Sequence, residues 1–114
     1  MILTREQTYN AIIMYLDNYN KRINGNEDIK KSIEMIKKLK ESEIDKEYLV
    51  DEQDALIDMY YLLKDYYDET KLDEIGSLLG DIVLFENGTT ADPAAWQDWI
   101  SVVNKVINLS DNQS

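Results

Sequence analysis

The chain of 114 residues fits one domain that is large enough to bury a core. It has no cysteine and no histidine, which excludes disulfides, thiolate metal sites and the commonest general base. The formal net charge of −11 is uneven: residues 1–40 carry eight bases and five acids, whereas residues 41–114 carry four bases and eighteen acids. Such a field repels nucleic acid and attracts basic proteins, although acidity that serves only solubility is the alternative.

Two helices are predicted in residues 1–40. Thr4 and Gln7 match a capping box, and apolar side chains follow at spacings of three and four from Tyr9 to Ile23. Asn-Gly-Asn at 24–26 suits the end of this helix and the start of the next. The second helix has an apolar stripe at Ile29, Ile33, Ile36 and Leu39, with Met35 beside it. Its lysines favour a solvated basic face, with a binding patch as the alternative: Lys30, Lys31, Lys37, Lys38 and Lys40.

The middle of the chain predicts a third, longer helix. Residues 42–45 favour the start of a short helix that leads through Tyr48–Val50 into the next element. Asp51 is a good N-cap for a helix over residues 52–67. Its expected core positions are Ala55, Leu56, Met59, Leu62, Leu63 and Tyr66.

The last third of the chain predicts two further helices. A fourth helix spans 71–79, and Gly76 and Gly80 suggest a close approach to a neighbouring element, with Gly80 also suited to end the helix. Residues 82–85 favour a buried extended connector, with a short strand as the alternative. Asp92-Pro93 is a strong start for the last helix. That helix is expected to bury Trp96, Trp99, Ile100, Val103 and Ile107.

These elements predict an all-α fold: a single small bundle of about five helices over residues 1–109, with a flexible tail at 110–114. The N-terminus turns polar at once and no run of eighteen apolar residues occurs, so the expected location is the cytoplasm, without a membrane partner. No phosphate loop, calcium loop or catalytic motif is present. Adjacent carboxylates such as Asp73 and Glu74 point about 100° apart on a helix. The prediction is therefore no enzyme activity, no catalytic residue, no metal and no cofactor.

Tyrosines and acids cluster in the third helix and the turn that follows it. Tyrosine is a stiff amphipathic contact residue that is enriched at interface hot spots, and surrounding acids steer a basic partner. Half-buried tyrosines with wet hydroxyl groups are the alternative explanation. The predicted partner-binding residues are Asp58, Tyr60, Tyr61, Asp65, Tyr67, Asp68, Glu69 and Asp73.

Two segments of the C-terminal half resemble a known family. They are Leu62–Tyr67 followed by Asp73–Ile82, and Asn87–Trp99. Both are similar to segments of small bacterial immunity proteins associated with contact-dependent growth inhibition and related polymorphic toxin systems. The most specific parts are Gly-Ser-Leu-Leu-Gly-Asp at 76–81 and Asp-Pro-Ala-Ala-Trp at 92–96.

The resemblance implies a cytoplasmic protein that binds a cognate toxin domain and blocks its active site or substrate groove. Many such toxins are nucleases with basic clefts, so an acidic inhibitor would mimic the nucleic-acid backbone. The family implies no catalytic residue. The alternative function is a self-associating structural or regulatory helical module that uses the 29–39 helix or the tyrosine face, and the sequence leaves the oligomeric state open.

Overall fold

The computed structural model describes residues 1–42 and 47–112. It is 76% helical, and the described residues form five helices and one two-stranded sheet, which confirms the predicted small helical bundle. In chain order the elements are β1 (Ile2–Thr4), α1 (Arg5–Arg22), α2 (Glu27–Ser42), β2 (Leu49–Asp51), α3 (Glu52–Thr70), α4 (Asp73–Ile82) and α5 (Pro93–Asn112).

Helix α1 is the central element of the bundle. It packs against α2 on one side and α5 on the other, while α4 bridges α2 and α3. Ile12 and Leu16 of α1 are fully buried. The other helices add fully buried side chains to the same core: Ile29, Ile36, Met59, Leu63, Ile75, Leu78, Trp99 and Val103. Burying these apolar side chains is the main force that holds the helices together.

Side-chain caps begin the helices where the sequence predicts them. The Thr4 hydroxyl accepts from the Gln7 amide at 3.1 Å, and the Gln7 side chain accepts from the Thr4 amide at 2.9 Å, which confirms the capping box. The Asp51 carboxylate accepts from the Asp54 amide at 2.8 Å. Caps of this kind satisfy amides that the first turn of a helix leaves without a partner.

The two-stranded sheet was not predicted from the sequence. β1 and β2 pair antiparallel, with Leu3 opposite Val50, and Leu3 is fully buried beneath the sheet. The prediction of a short helix leading through Tyr48–Val50 is wrong at its C-terminal end, because Leu49 and Val50 are in β2. Ser42 is the last residue of α2, and the rest of the predicted helix start lies outside the described residues.

The third and fourth helices end later than predicted, and the fourth also begins later, at Asp73 instead of Lys71. α3 continues to Thr70, and Lys71 then takes a left-handed conformation with φ of 55°. Gly80 does not end α4, because the helix continues to Ile82, which completes its buried stripe. The connector prediction for 82–85 is therefore wrong at both ends: Ile82 is helical, and Phe85 is 52% exposed. Between them, Leu84 forms a single antiparallel bridge with Thr90.

Helix α5 begins as predicted and buries a slightly different face. The Asp92 carboxylate accepts from the Ala94 amide at 3.0 Å. Trp99 and Val103 are buried as expected, and Trp99 Nε1 donates to the Glu52 carbonyl at 2.8 Å. The other expected core residues, Trp96, Ile100 and Ile107, are half-buried. Val102 and Val106 are buried instead, and α5 continues to Asn112.

Candidate partner-binding surface

The outer side of α3 carries a row of four carboxylates and one tyrosine, which we call the acidic stripe: Asp54, Asp58, Tyr61, Asp65 and Asp68. Successive members are separated by four, three, four and three residues, so they lie along one side of the helix. Over fourteen residues the stripe is about 21 Å long. The opposite side of α3 is buried through Leu56, Met59 and Leu63. The core therefore holds the stripe outward on a rigid element.

Most of the charge on this stripe has no cation beside it. α3 contains six acids and a single lysine, a net charge of −5. Lys64 Nζ contacts both carboxylate oxygens of Asp68, at 2.8 and 2.9 Å. Within residues 1–42 and 47–112, Asp54, Asp58 and Asp65 form no ion pair. The repulsion between Asp54 and Asp58 remains for an external cation to relieve.

The titration behaviour of the stripe reflects the same imbalance. Partial burial raises the pKa of Asp58, and repulsion from Asp54 adds to the rise. At the other end, the hydrogen bond from Lys64 lowers the pKa of the Asp68 carboxyl. At neutral pH the Asp58 carboxyl is charged although its surroundings disfavour the charged form. A cation beside Asp58 would therefore stabilise it.

The tyrosines of α3 have two different environments. Tyr61 is 61% exposed, and the half-buried Tyr60 packs edge-on against it, with ring centroids 5.5 Å apart. Tyr67 instead packs against α4: a Cβ atom at Gly76 would lie 2.9 Å from Cε2 of Tyr67. The Lys71 ammonium lies 5.1 Å from the centre of the Tyr67 ring. Tyr61 is therefore accessible from outside, whereas Tyr67 joins α3 to α4.

The structure brings together only part of the predicted binding set. Asp58, Tyr61, Asp65 and Asp68 share the acidic stripe. Tyr60 and Tyr67 lie on a neighbouring flank of α3, and both are half-buried. Glu69 is exposed near the C-terminal end of α3, and Asp73 is exposed at the first position of α4. Sequence reasoning missed Asp54, although its spacing from Asp58 and Tyr61 was a visible signal.

A second polar cluster links α1 to α4 and α5. The Tyr19 hydroxyl donates to Glu74 at 2.9 Å, and Arg22 pairs with Asp98 at 2.5 Å. Burial raises the pKa of Tyr15 to about 12 and, together with the Glu74 hydrogen bond, that of Tyr19 to about 12. Burial and the nearby Asp92 raise the pKa of Asp81. Tyr19 and Arg22 bond across helix interfaces, which is a structural role.

The described residues contain no cluster of three or more carboxylates placed to hold a metal ion. None of the helices within 1–42 and 47–112 is long and apolar enough to cross a membrane. Comparisons with protein-family models, with curated proteins and with solved structures gave no match.

Proposed function

We propose that this chain is a cytoplasmic immunity protein that binds a cognate bacterial toxin domain, a basic nuclease, and occludes its active site or substrate groove. The acidic stripe is the contact surface. The observation that carries the proposal is a set of three carboxylates that form no ion pair among the described residues, Asp54, Asp58 and Asp65, in one row with the exposed ring of Tyr61. A basic groove built for phosphates offers the charges that these carboxylates lack.

The shape of the stripe supports a blocking role. A row of charge about 21 Å long on one side of a helix can lie along a groove that binds a linear polyanion. Tyr61 adds a stiff apolar contact near the middle of the row, where hot-spot residues contribute most. Blocking a groove requires no catalytic group, metal or cofactor, so the proposed protein is an inhibitor and not an enzyme.

The specific role as an immunity protein is supported by the family resemblance of residues 62–99. Within the resembling segments, Gly76 accommodates the Tyr67 ring, Asp92 caps α5 and Trp99 is buried. These positions serve the fold.

Co-expression with the toxin domain encoded beside the gene tests the proposal. We expect the wild-type chain to protect cells and to co-purify with the toxin domain. Asp54→Lys/Asp65→Lys should lose protection because it reverses two unpaired charges of the stripe. The matched control Asp17→Lys/Glu86→Lys makes the same change in net charge on α1 and in the 83–92 loop, and it should still protect. Failure of the wild-type chain to protect would contradict the proposal.

A further inference from the structure

A groove of about 570 Å³ runs between α2 and α3, on a different side of α3 from the acidic stripe. On the α2 side it is lined by Lys31, Met35, Lys38 and Leu39, and on the α3 side by Tyr66. Met35 and Leu39 pack against the core with part of each side chain, and both are half-buried, as is Tyr66. The remaining apolar surface of these three side chains forms the floor of the groove.

The rim of the groove carries three lysines and two glutamates: Lys30, Lys31, Lys38, Glu27 and Glu34. Lys31 and Lys38 are seven residues apart, so they lie on the same side of α2 about 10 Å from each other along the axis. Both are exposed, and neither forms an ion pair within the part of the chain that the structure describes. By contrast, Lys30 pairs with Glu27 at 3.7 Å and Lys37 with Glu34 at 3.6 Å.

We propose that this groove binds an acidic amphipathic helix of a partner protein. The apolar stripe of such a helix would lie on Met35, Leu39 and Tyr66, in the manner of helices bound in hydrophobic grooves. Carboxylates flanking that stripe would reach Lys31 and Lys38, whose seven-residue spacing matches two turns of a bound helix. Methionine in the floor adapts its shape to the side chains that it meets.

The surrounding charges favour a protein over other polyanions. Glu27 and Glu34 lie on the same rim, and the whole chain carries a net charge of −11. That field opposes the approach of a nucleic acid or an anionic membrane, which present long rows of negative charge. A short acidic helix needs only two lysines and an apolar floor. This surface is distinct from the acidic stripe and has the opposite charge preference.

Titration of the isotope-labelled chain, followed by amide NMR spectra, tests the proposal. The probes are two synthetic amphipathic helical peptides with the same apolar positions, one with glutamate and one with lysine at the polar positions. We expect the glutamate peptide to shift the amide signals of Lys31, Met35, Lys38 and Leu39. The lysine peptide should leave these signals in place, because it meets two like charges.

Variants then separate the groove from general electrostatics. Lys31→Glu/Lys38→Glu should weaken binding of the glutamate peptide by about tenfold or more, since two attractions become repulsions. Lys37→Glu is the control on α2 outside the groove. It reverses one charge where the double variant reverses two, and it should change the affinity by less than about twofold. Met35→Gln should weaken binding while keeping both lysines, which tests the apolar floor. The same spectra report whether each variant is folded.

Several outcomes would overturn the proposal. These are no saturable shift at about 1 mM glutamate peptide, or an equal effect of Lys37→Glu and the double variant. Binding to anionic phospholipid vesicles in place of the peptide would assign the groove to a membrane. Self-association seen by sedimentation, together with shifts of the same amide signals at high protein concentration without peptide, would assign the groove to a second copy of the chain. Each of these results leaves the proposed function intact, because the acidic stripe lies on another side of α3.

Discussion

Tyr15 and Tyr19 lie one turn apart on α1, and the pKa of each hydroxyl group is raised above its ordinary value of 10.0. Tyr15 is 2% exposed, and burial is the main cause of its raised pKa of about 12. A phenol whose pKa is raised by folding stabilises the folded state below its unfolded pKa of 10.0. That contribution is lost as the pH rises toward the folded value of about 12.

We therefore predict that the free energy of unfolding falls between pH 10 and about pH 12. A rise of two pKa units at Tyr15 corresponds to an upper limit of about 2.7 kcal/mol. Tyr15→Phe removes the ionisable hydroxyl, so its stability should decline less over the same range. Urea unfolding at several pH values measures the difference, and an equal decline in both proteins would show that Tyr15 does not titrate in this way.

Asp58 links the stability of the fold to the binding surface. Its pKa is raised, so its ionisation weakens the fold as the pH rises through the folded pKa. Asp58→Asn should therefore increase the free energy of unfolding at neutral pH, by an amount that solvent screening keeps small. The gain should disappear at about pH 3, where the carboxyl is protonated in both states.

Asp68→Asn is the control for this prediction. The pKa of Asp68 is lowered by Lys64, so its charged form favours the folded state and its replacement should bring no gain. Chemical unfolding of both variants provides the comparison. If Asp58→Asn destabilised the chain at neutral pH, the charge on Asp58 would not be unfavourable in the free protein, which would contradict the electrostatic basis of the binding proposal.

The two glycines of α4 have different surroundings. A Cβ at Gly80 would meet no atom of the described residues within 4 Å, whereas one at Gly76 would lie 2.9 Å from the Tyr67 ring. Gly80→Ala should raise the free energy of unfolding by about 0.5–1 kcal/mol, because alanine restricts the unfolded chain and favours helix. Gly76→Ala should lose most or all of that gain, since the Tyr67 ring must move.

Thermal unfolding of the two alanine variants tests this difference. In a Tyr67→Ala background the clash is absent, so Gly76→Ala should then stabilise the chain about as much as Gly80→Ala does. Equal effects of the two alanine substitutions in the wild-type chain would contradict the close packing of Tyr67 on α4.

The features of these elements that the sequence predicted are local ones. The capping box at Thr4 and Gln7 and the caps at Asp51 and Asp92 involve residues two or three apart, so the sequence shows both partners. The β1–β2 pair joins Leu3 to Val50, and three-residue strands are too short to show an alternating pattern. The contact of Tyr67 with Gly76 likewise depends on how α3 and α4 meet. The sequence therefore predicted the acidic and tyrosine-rich character of α3 but not which tyrosine is presented outward.

At the scale of the whole molecule, charge is divided between two surfaces. The acidic stripe lies on the outer side of α3, and the lysines of α2 line the groove beside Tyr66. Such a division orients an approaching basic partner toward α3 and away from the α2 lysines. This polarity predicts that binding to a basic toxin domain is steered by charge and is therefore weakened by salt.

The rate of association between this chain and the basic toxin domain that the proposal requires, measured at low and at physiological ionic strength, tests the proposal most directly. We predict a one-to-one complex whose association slows as salt is added. Asp54→Lys/Asp65→Lys should slow association by about tenfold or more at low salt and reduce its salt dependence, while Asp17→Lys/Glu86→Lys stays much closer to the wild-type rate. Equal rates for the two double variants, or no complex at all, would contradict the assignment of the acidic stripe as the toxin-binding surface.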